Sequence, residues 1–326
     1  MNQYNFLHSI HYLNAKISAL KSKLLDEQFY SEASSLNGIN SFIDLLMKTH
    51  YKRYLDKFLY KYKELELIDI ATTNRFSTII KLLRKSIPYN NTYEEFISQW
   101  DILSLKAFII EKINERDWNE IAPYLIEGKE TINTYKRMFY MDLNKGLRLH
   151  YIGKAIISIK TSELPKFLNK MLIDFAKTNN YTLYYSLLLD YIFFKQMYKF
   201  MKKTRSKILK NYTRKMLVTK SYLLQKRLES RNIHDDVREI TGCNIKDKEF
   251  EEMEKINKDK NIYDIELELD RILAKKIRQN YPKSVMKIDK LYFYLMMLDI
   301  ELKNIHRIGV GLRLRMGKEK IREVII

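Results

Sequence analysis

Eight glycines and four prolines are all that 326 residues contain, and this scarcity of breakers constrains the fold more than any other feature. A chain with few turn residues reverses direction seldom. Together with many Leu, Ile, Lys and Glu, this favours long helices over many short strands. Apolar residues make up 46 % of the chain, which excludes disorder. The length suffices for one large core or two to three small ones. Leu7, Ile10, Asn14, Ile17, Leu20 and Leu24 recur every three or four residues and predict a first helix with one apolar face, Lys16, Lys21 and Lys23 lying elsewhere. A Ser-Ser-Leu-Asn-Gly turn ending at Gly38 then leads into a second helix, with Ile39, Phe42, Ile43 and Leu46 in phase.

The same pattern returns along the chain. Residues 55–59 read Leu-Asp-Lys-Phe-Leu, 168–172 Leu-Asn-Lys-Met-Leu and 269–273 Leu-Asp-Arg-Ile-Leu. Each is followed by a second marker around Lys106, Lys220 and Lys303, at spacings of 50, 51 and 33 residues. Gly128 and Gly242 each lie 22 residues after the marker lysine, where they suit left-handed helix caps. The repeats predict three similar helical domains, 1–128, 129–242 and a shorter 243–326. Such units stack into a superhelix or close into a funnel or cup with pseudo-three-fold symmetry; the expected fold class is all-α.

The net charge of +19 has two readings, an anionic partner or a composition biased towards Lys, Asn, Ile and Tyr, and names no partner by itself. Residues 195–227 hold twelve Lys or Arg and no acid, interleaved with apolar positions. This reads as amphipathic helix with a cationic face, either merely solvated or laid on lipid headgroups or an acidic protein rim. The candidate partner-binding residues are Lys199, Lys202, Lys203, Arg205, Lys207, Lys210, Arg214 and Lys215. Residues 246–270 carry ten acids against five lysines, which suggests distinct faces for distinct partners.

No chemistry of catalysis is spelled out. The six histidines are scattered; only His8 and His11 could share a face, with no third ligand near. Gly309 to Glu319 has the wrong spacing for a P-loop and Glu319 in place of the hydroxyl, and reads as the turn between the last two helices. No catalytic, cofactor-binding or metal-binding residue is expected. A single Cys243 forms no internal disulfide and suggests a reducing compartment. The N-terminal residues lack a signal pattern. Leu183 to Phe194, interrupted by Asp190, predicts a buried helix rather than a membrane span.

Several segments resemble the C subunits of archaeal and bacterial V/A-type ATPases, the counterparts of the d subunit in the eukaryotic V-ATPase. Asn14 to Leu25 is similar to the family's opening helix, with Lys16 where Arg is common and Ser18 at a second basic position. Thr49-His50-Tyr51 resembles its Thr-x-Tyr. Tyr294-Leu295, Glu301-Leu302-Lys303-Asn304-Ile305-His306 and Ile321-Arg322-Glu323 resemble its C-terminal motifs. Gly311 falls where the family has Gly-Lys. His306 and Leu312 replace family bases, so roles of those bases are not carried over. The resemblance implies an all-helical funnel without nucleotide or ion site, peripheral on the cytoplasmic side of the membrane. It would cap the proteolipid rotor ring and act as a socket for the central shaft, made of the D and F subunits. The competing readings are a basic helical nucleic-acid-binding protein, which lacks a recognised module, and an enzyme with an unrecognised helical site.

Overall fold

A computed structural model describes residues 3–87, 91–160, 164–231, 233, 237–241, 247–257, 260–284 and 288–326. The described residues are helical, without strands. In chain order the helices are α1 (Gln3–Lys21), α2 (Glu27–Ala33), α3 (Ile39–Met47), α4 (Lys52–Asp56), α5 (Glu64–Arg84) and α6 (Asn91–Ile113). Then come α7 (Trp118–Ile121), a 3-10 turn at Ala122–Tyr124, α8 (Ile132–Phe139), α9 (Leu143–Leu147), α10 (Tyr151–Ser158) and α11 (Lys166–Lys177). The rest are α12 (Tyr181–Lys203), α13 (Lys207–Glu229), α14 (Asp247–Asn257), α15 (Ile262–Asn280), α16 (Asp289–Arg313) and α17 (Lys318–Val324), with further 3-10 turns at Val237–Thr241 and Pro282–Ser284. Two compact units emerge: residues 1–89, 122–126 and 274–326 form the first, and 90–121 and 127–273 the second.

In the first unit, α16 packs along α5 and touches α1, α3 and α17. Its core includes Phe42, Leu46, Leu55, Ile68, Ile305 and Ile308. Burying such side chains at roughly 25 cal/mol per Å2 is the main force holding helices that lack a strong local preference. The expected face of α1 is confirmed at Asn14 and Ile17, both buried, with Leu13 joining them. The expected second helix is the third. Ile39, Phe42, Ile43 and Leu46 are buried in α3 as the spacing predicts, but α2 precedes it, capped by the Asp26 carboxylate accepting from the Phe29 N–H at 2.8 Å.

The second unit is built on α6 and α12, with α11 and α13 against α12. Phe96, Trp100, Leu105 and Phe108 of α6 meet Leu189, Met197 and Phe200 of α12, all nearly inaccessible. Phe96 stands edge-on to Trp100 and 5.1 Å from the Phe200 ring. Leu187 to Leu189 and Tyr191 to Phe194 are buried in α12, as expected for that apolar run. No helix among the described residues is long and apolar enough to cross a membrane.

Two glycine assignments change. Gly128 is not in the left-handed region and caps no helix; a Cβ there would lie 2.8–2.9 Å from the Asp101 carboxyl, so the position needs glycine for space. Gly242 and Cys243 lie outside the described residues. Gly309 and Gly311 sit inside α16, where a Cβ would meet Leu65 and Ile321 respectively, and only Leu314 to Gly317 forms the turn before α17. Left-handed helix ends fall instead on Glu115, Asn179 and Arg315. Each is followed by a backbone bond spanning five residues, Arg116 to Glu111, Asn180 to Phe175 and Met316 to Gly311, at 3.0, 2.8 and 2.8 Å.

Candidate functional site

The cationic segment is not one helix. Phe200 and Met197 pull the end of α12 inward, and Leu209, Tyr212 and Met216 do the same for α13. Between them the Ser206 hydroxyl accepts from the Leu209 N–H at 3.2 Å and starts a new helix. The eight candidate bases therefore divide. Lys199 and Lys203 reach Glu95 of α6 at 3.4 and 2.6 Å. Arg214 forms a two-pronged bond to Glu249 of α14 at 3.1 and 2.7 Å. The Lys202 ammonium lies 5.3 Å from the Tyr198 ring. Lys202, Arg205, Lys207 and Lys210 are exposed around the α12–α13 break, and Lys215 is half-buried.

The acidic stretch 246–270 does not form a wholly separate face. Besides Glu249, Glu254 pairs with Lys226 at 3.0 Å and Glu266 with Arg227 at 2.7 Å. Opposite charges that look segregated along the chain thus meet when α14 and α15 pack beside α13, which lowers the free positive charge of the candidate surface. Of the repeat-marker lysines, Lys106 holds Asp190 at 2.7 Å, Lys220 lies 5.5 Å from the Phe193 ring and Lys303 reaches Asp299 at 3.7 Å.

A second polar centre, inside the first unit, is assembled from the sequence words that stand out near residues 51 and 301. The Glu301 carboxylate accepts from the Arg75 guanidinium, from the Tyr51 hydroxyl at 2.7 Å and from the Leu25 N–H at 2.6 Å. Arg75 also donates to Tyr51 and to the Lys23 carbonyl, the latter at 3.0 Å. The Arg75 and Glu301 side chains are each 3 % exposed. Burial opposes the charge on Arg75, but Tyr51 and Glu301 beside it leave its pKa raised. One turn on, the Asn304 side chain donates to the Ile326 carbonyl at 2.7 Å and accepts from its N–H at 3.0 Å. These groups are fully engaged with one another and out of reach of a substrate; they clamp α16 to the rest of the unit.

His306, which replaces a base of the resembled family, bonds the buried Asp69 carboxylate at 2.8 Å. That bond raises the His306 pKa, against the opposing pull of burial and of Arg307. A raised folded-state pKa stabilises below the unfolded value and loses that contribution as pH rises through the folded one. We expect His306→Gln to be most destabilising below about pH 6.5 and to converge on the unmodified protein at higher pH. The ring is 44 % exposed, so the effect is about 1 kcal/mol or less. Urea midpoints across the pH range measure it; a pH-independent difference would exclude the charge pair.

No cluster of His, Cys, Asp or Glu among the described residues is arranged to hold a metal ion. The features that do stand out are a helical body, buried polar clamps and an exposed cationic break. Residues 13–324 match the family model described as ATP synthase (C/AC39) subunit. The chain belongs to that family. It is 30 % identical over 107 residues to the A-type ATP synthase C subunit of Thermococcus onnurineus (strain NA1), a stretch covering 32 % of this chain and 29 % of that protein. It is 29 % identical over 104 residues to the protein of the same name from Desulfurococcus sp. (strain SY), covering 31 % and 28 %. The matched stretches thus span less than a third of these curated relatives.

Proposed function

We propose that the chain is a non-catalytic central-stalk component of a rotary V/A-type ATPase. It is the socket that couples the shaft, made of the D and F subunits, to the proteolipid rotor ring during ATP-driven ion transport or ATP synthesis. The observation that carries this reading is the family match from residue 13 to residue 324. The physics agrees with it. A part that passes torque must resist deformation, and close-packed helices tied by buried clamps supply stiffness. In this reading the three repeats, 1–128, 129–242 and 243–326, line a cup of approximate three-fold symmetry. The chain sits at the cytoplasmic face of the membrane without spanning it. The exposed bases Lys202, Arg205, Lys207 and Lys210 are the part of the candidate surface left to meet an anionic partner.

An affinity pull-down from detergent-solubilised membranes tests the assignment. Recovery of the proteolipid together with the D and F subunits is expected. Recovery of nucleic acid in a salt-sensitive manner, with neither the ring nor the shaft, would replace the proposal by the nucleic-acid reading.

A further inference from the structure

The turn between α4 and α5 reads Lys57-Phe58-Leu59-Tyr60-Lys61-Tyr62-Lys63, with no acid. Its two halves are treated oppositely by the fold. Phe58 packs against the core of the first unit and Tyr62 is buried, their rings 6.1 Å apart. Backbone bonds from the Lys61 and Tyr62 N–H groups to the Phe58 carbonyl, at 2.9 and 3.1 Å, close the turn. Leu59 and Tyr60 point the other way, 42 % and 99 % exposed. Lys57, Lys61 and Lys63 are exposed around them, Lys57 beside the Phe58 ring and Lys61 beside the Tyr62 ring. The result is a hydrogen-bonded turn that exposes one aliphatic and one aromatic side chain among three exposed lysines.

We propose that this turn is a contact site for an anionic lipid surface, with Tyr60 and Leu59 at the headgroup–acyl boundary and the three lysines on lipid phosphates. Tyrosine suits that boundary because its ring is apolar and its hydroxyl stays wet. Lysine stems lie along apolar surface while their charges reach outward. Charge complementarity selects the anionic surface. The site deepens the proposed membrane-peripheral role and rests on it for its biological setting, but lipid binding by the purified chain is measured independently of the motor.

The test is co-sedimentation of the full chain with vesicles of phosphatidylcholine alone and of phosphatidylcholine mixed with phosphatidylglycerol. The unmodified protein is expected to bind the mixed vesicles in low salt and to be released as salt rises. Each lysine near an anionic surface changes affinity by about fivefold, so Lys57→Gln, Lys61→Gln and Lys63→Gln together are expected to weaken binding about a hundredfold. Leu59→Ser with Tyr60→Ser should weaken it further, both sets keeping the native circular dichroism and urea midpoint. Tyr60→Trp supplies a second readout: its emission should shift to the blue on mixed vesicles only. Failure to bind the mixed vesicles, retention of full affinity by the triple lysine variant, or no spectral shift would overturn the proposal. Loss of ring capture by that variant without any vesicle binding would also overturn it, making the turn a protein contact. A chain that binds vesicles through this turn but recovers neither the ring nor the shaft would keep the lipid site and refute the socket role.

Discussion

Glu301→Ala is expected to lower the stability of the first unit by about 3–5 kcal/mol, the cost of leaving a buried charge without its partner. The guanidinium of Arg75 would stay buried with no carboxylate, and the Tyr51 hydroxyl and Leu25 N–H would lose their acceptor. Arg75→Met should cost a similar amount for the converse reason. The combined variant, Arg75→Met with Glu301→Leu, removes both charges and should cost far less than the sum, because the two desolvation penalties disappear together. Adding Tyr51→Phe removes one of the hydroxyl's lost bonds, an effect of about 1 kcal/mol. Urea midpoints followed by circular dichroism measure all four proteins. A combined variant as unstable as the sum of the single ones would show that the charges do not compensate each other.

The second large effect centres on Asp101 in the second unit. This fully buried carboxylate accepts from the Lys129 N–H at 2.7 Å, the Glu130 N–H at 3.2 Å and the Tyr151 hydroxyl at 2.9 Å. Behind it a chain of neutral bonds continues. The Ile152 N–H donates to His150 Nδ1, which leaves Nε2 to donate to Tyr135, whose hydroxyl donates to the Asp101 carbonyl. Burial holds the His150 pKa down to about 3, which keeps that ring neutral. Asp101→Ala leaves three donors without an acceptor and is expected to cost about 3 kcal/mol or more. Gly128→Ala should approach the same cost, because the new methyl would lie 2.8–2.9 Å from the carboxyl atoms and force them to shift.

Burial also pushes the Asp101 pKa up to about 7, while the three donors and the nearby Glu130 pull in opposite directions. A carboxyl that holds its proton longer when folded loses stabilising effect as pH rises between its unfolded value, about 4, and its folded one. The unmodified protein should therefore show a fall in stability across that window that Asp101→Asn lacks. The difference between their urea midpoints from pH 4 to 8 isolates this group from His150 and His306, which both proteins share. Parallel profiles would refute the buried titration.

Local features are legible in the sequence where one helix face decides them. The buried run of α12 and the in-phase residues of α3 are cases in point, because burial of a periodic stripe needs no knowledge of the partner helix. The short α2 escapes such a reading although Asp26 signals its start, since a seven-residue helix shows too little periodicity. Gly128 misleads because a glycine near a helix end serves either conformation or space, and only the approach of Asp101 tells which. Tyr51 and Glu301 stand out as words of a family motif, yet the Glu301 bond to Arg75 joins residues 226 positions apart and is invisible to any local pattern. The basic run 195–227 is visible as charge. Its division into bases held by Glu95 and Glu249 and bases left outside depends on which helices pack together, and that is tertiary information.

The clamp at Glu301 also orders events during synthesis. The first unit has most of its core in the first 84 residues, but Ile305, Ile308 and the Arg75 partner arrive only with α16. At usual elongation rates the ribosome needs about ten to fifty seconds to travel from residue 75 to residue 301. Throughout that interval an arginine destined for burial stays solvated and the apolar faces of α3 and α5 lack their cover. The second unit, whose chain is complete by residue 273, can close in the meantime. The helices before residue 84 thus wait for α16, which is translated only after the last residue of the second unit.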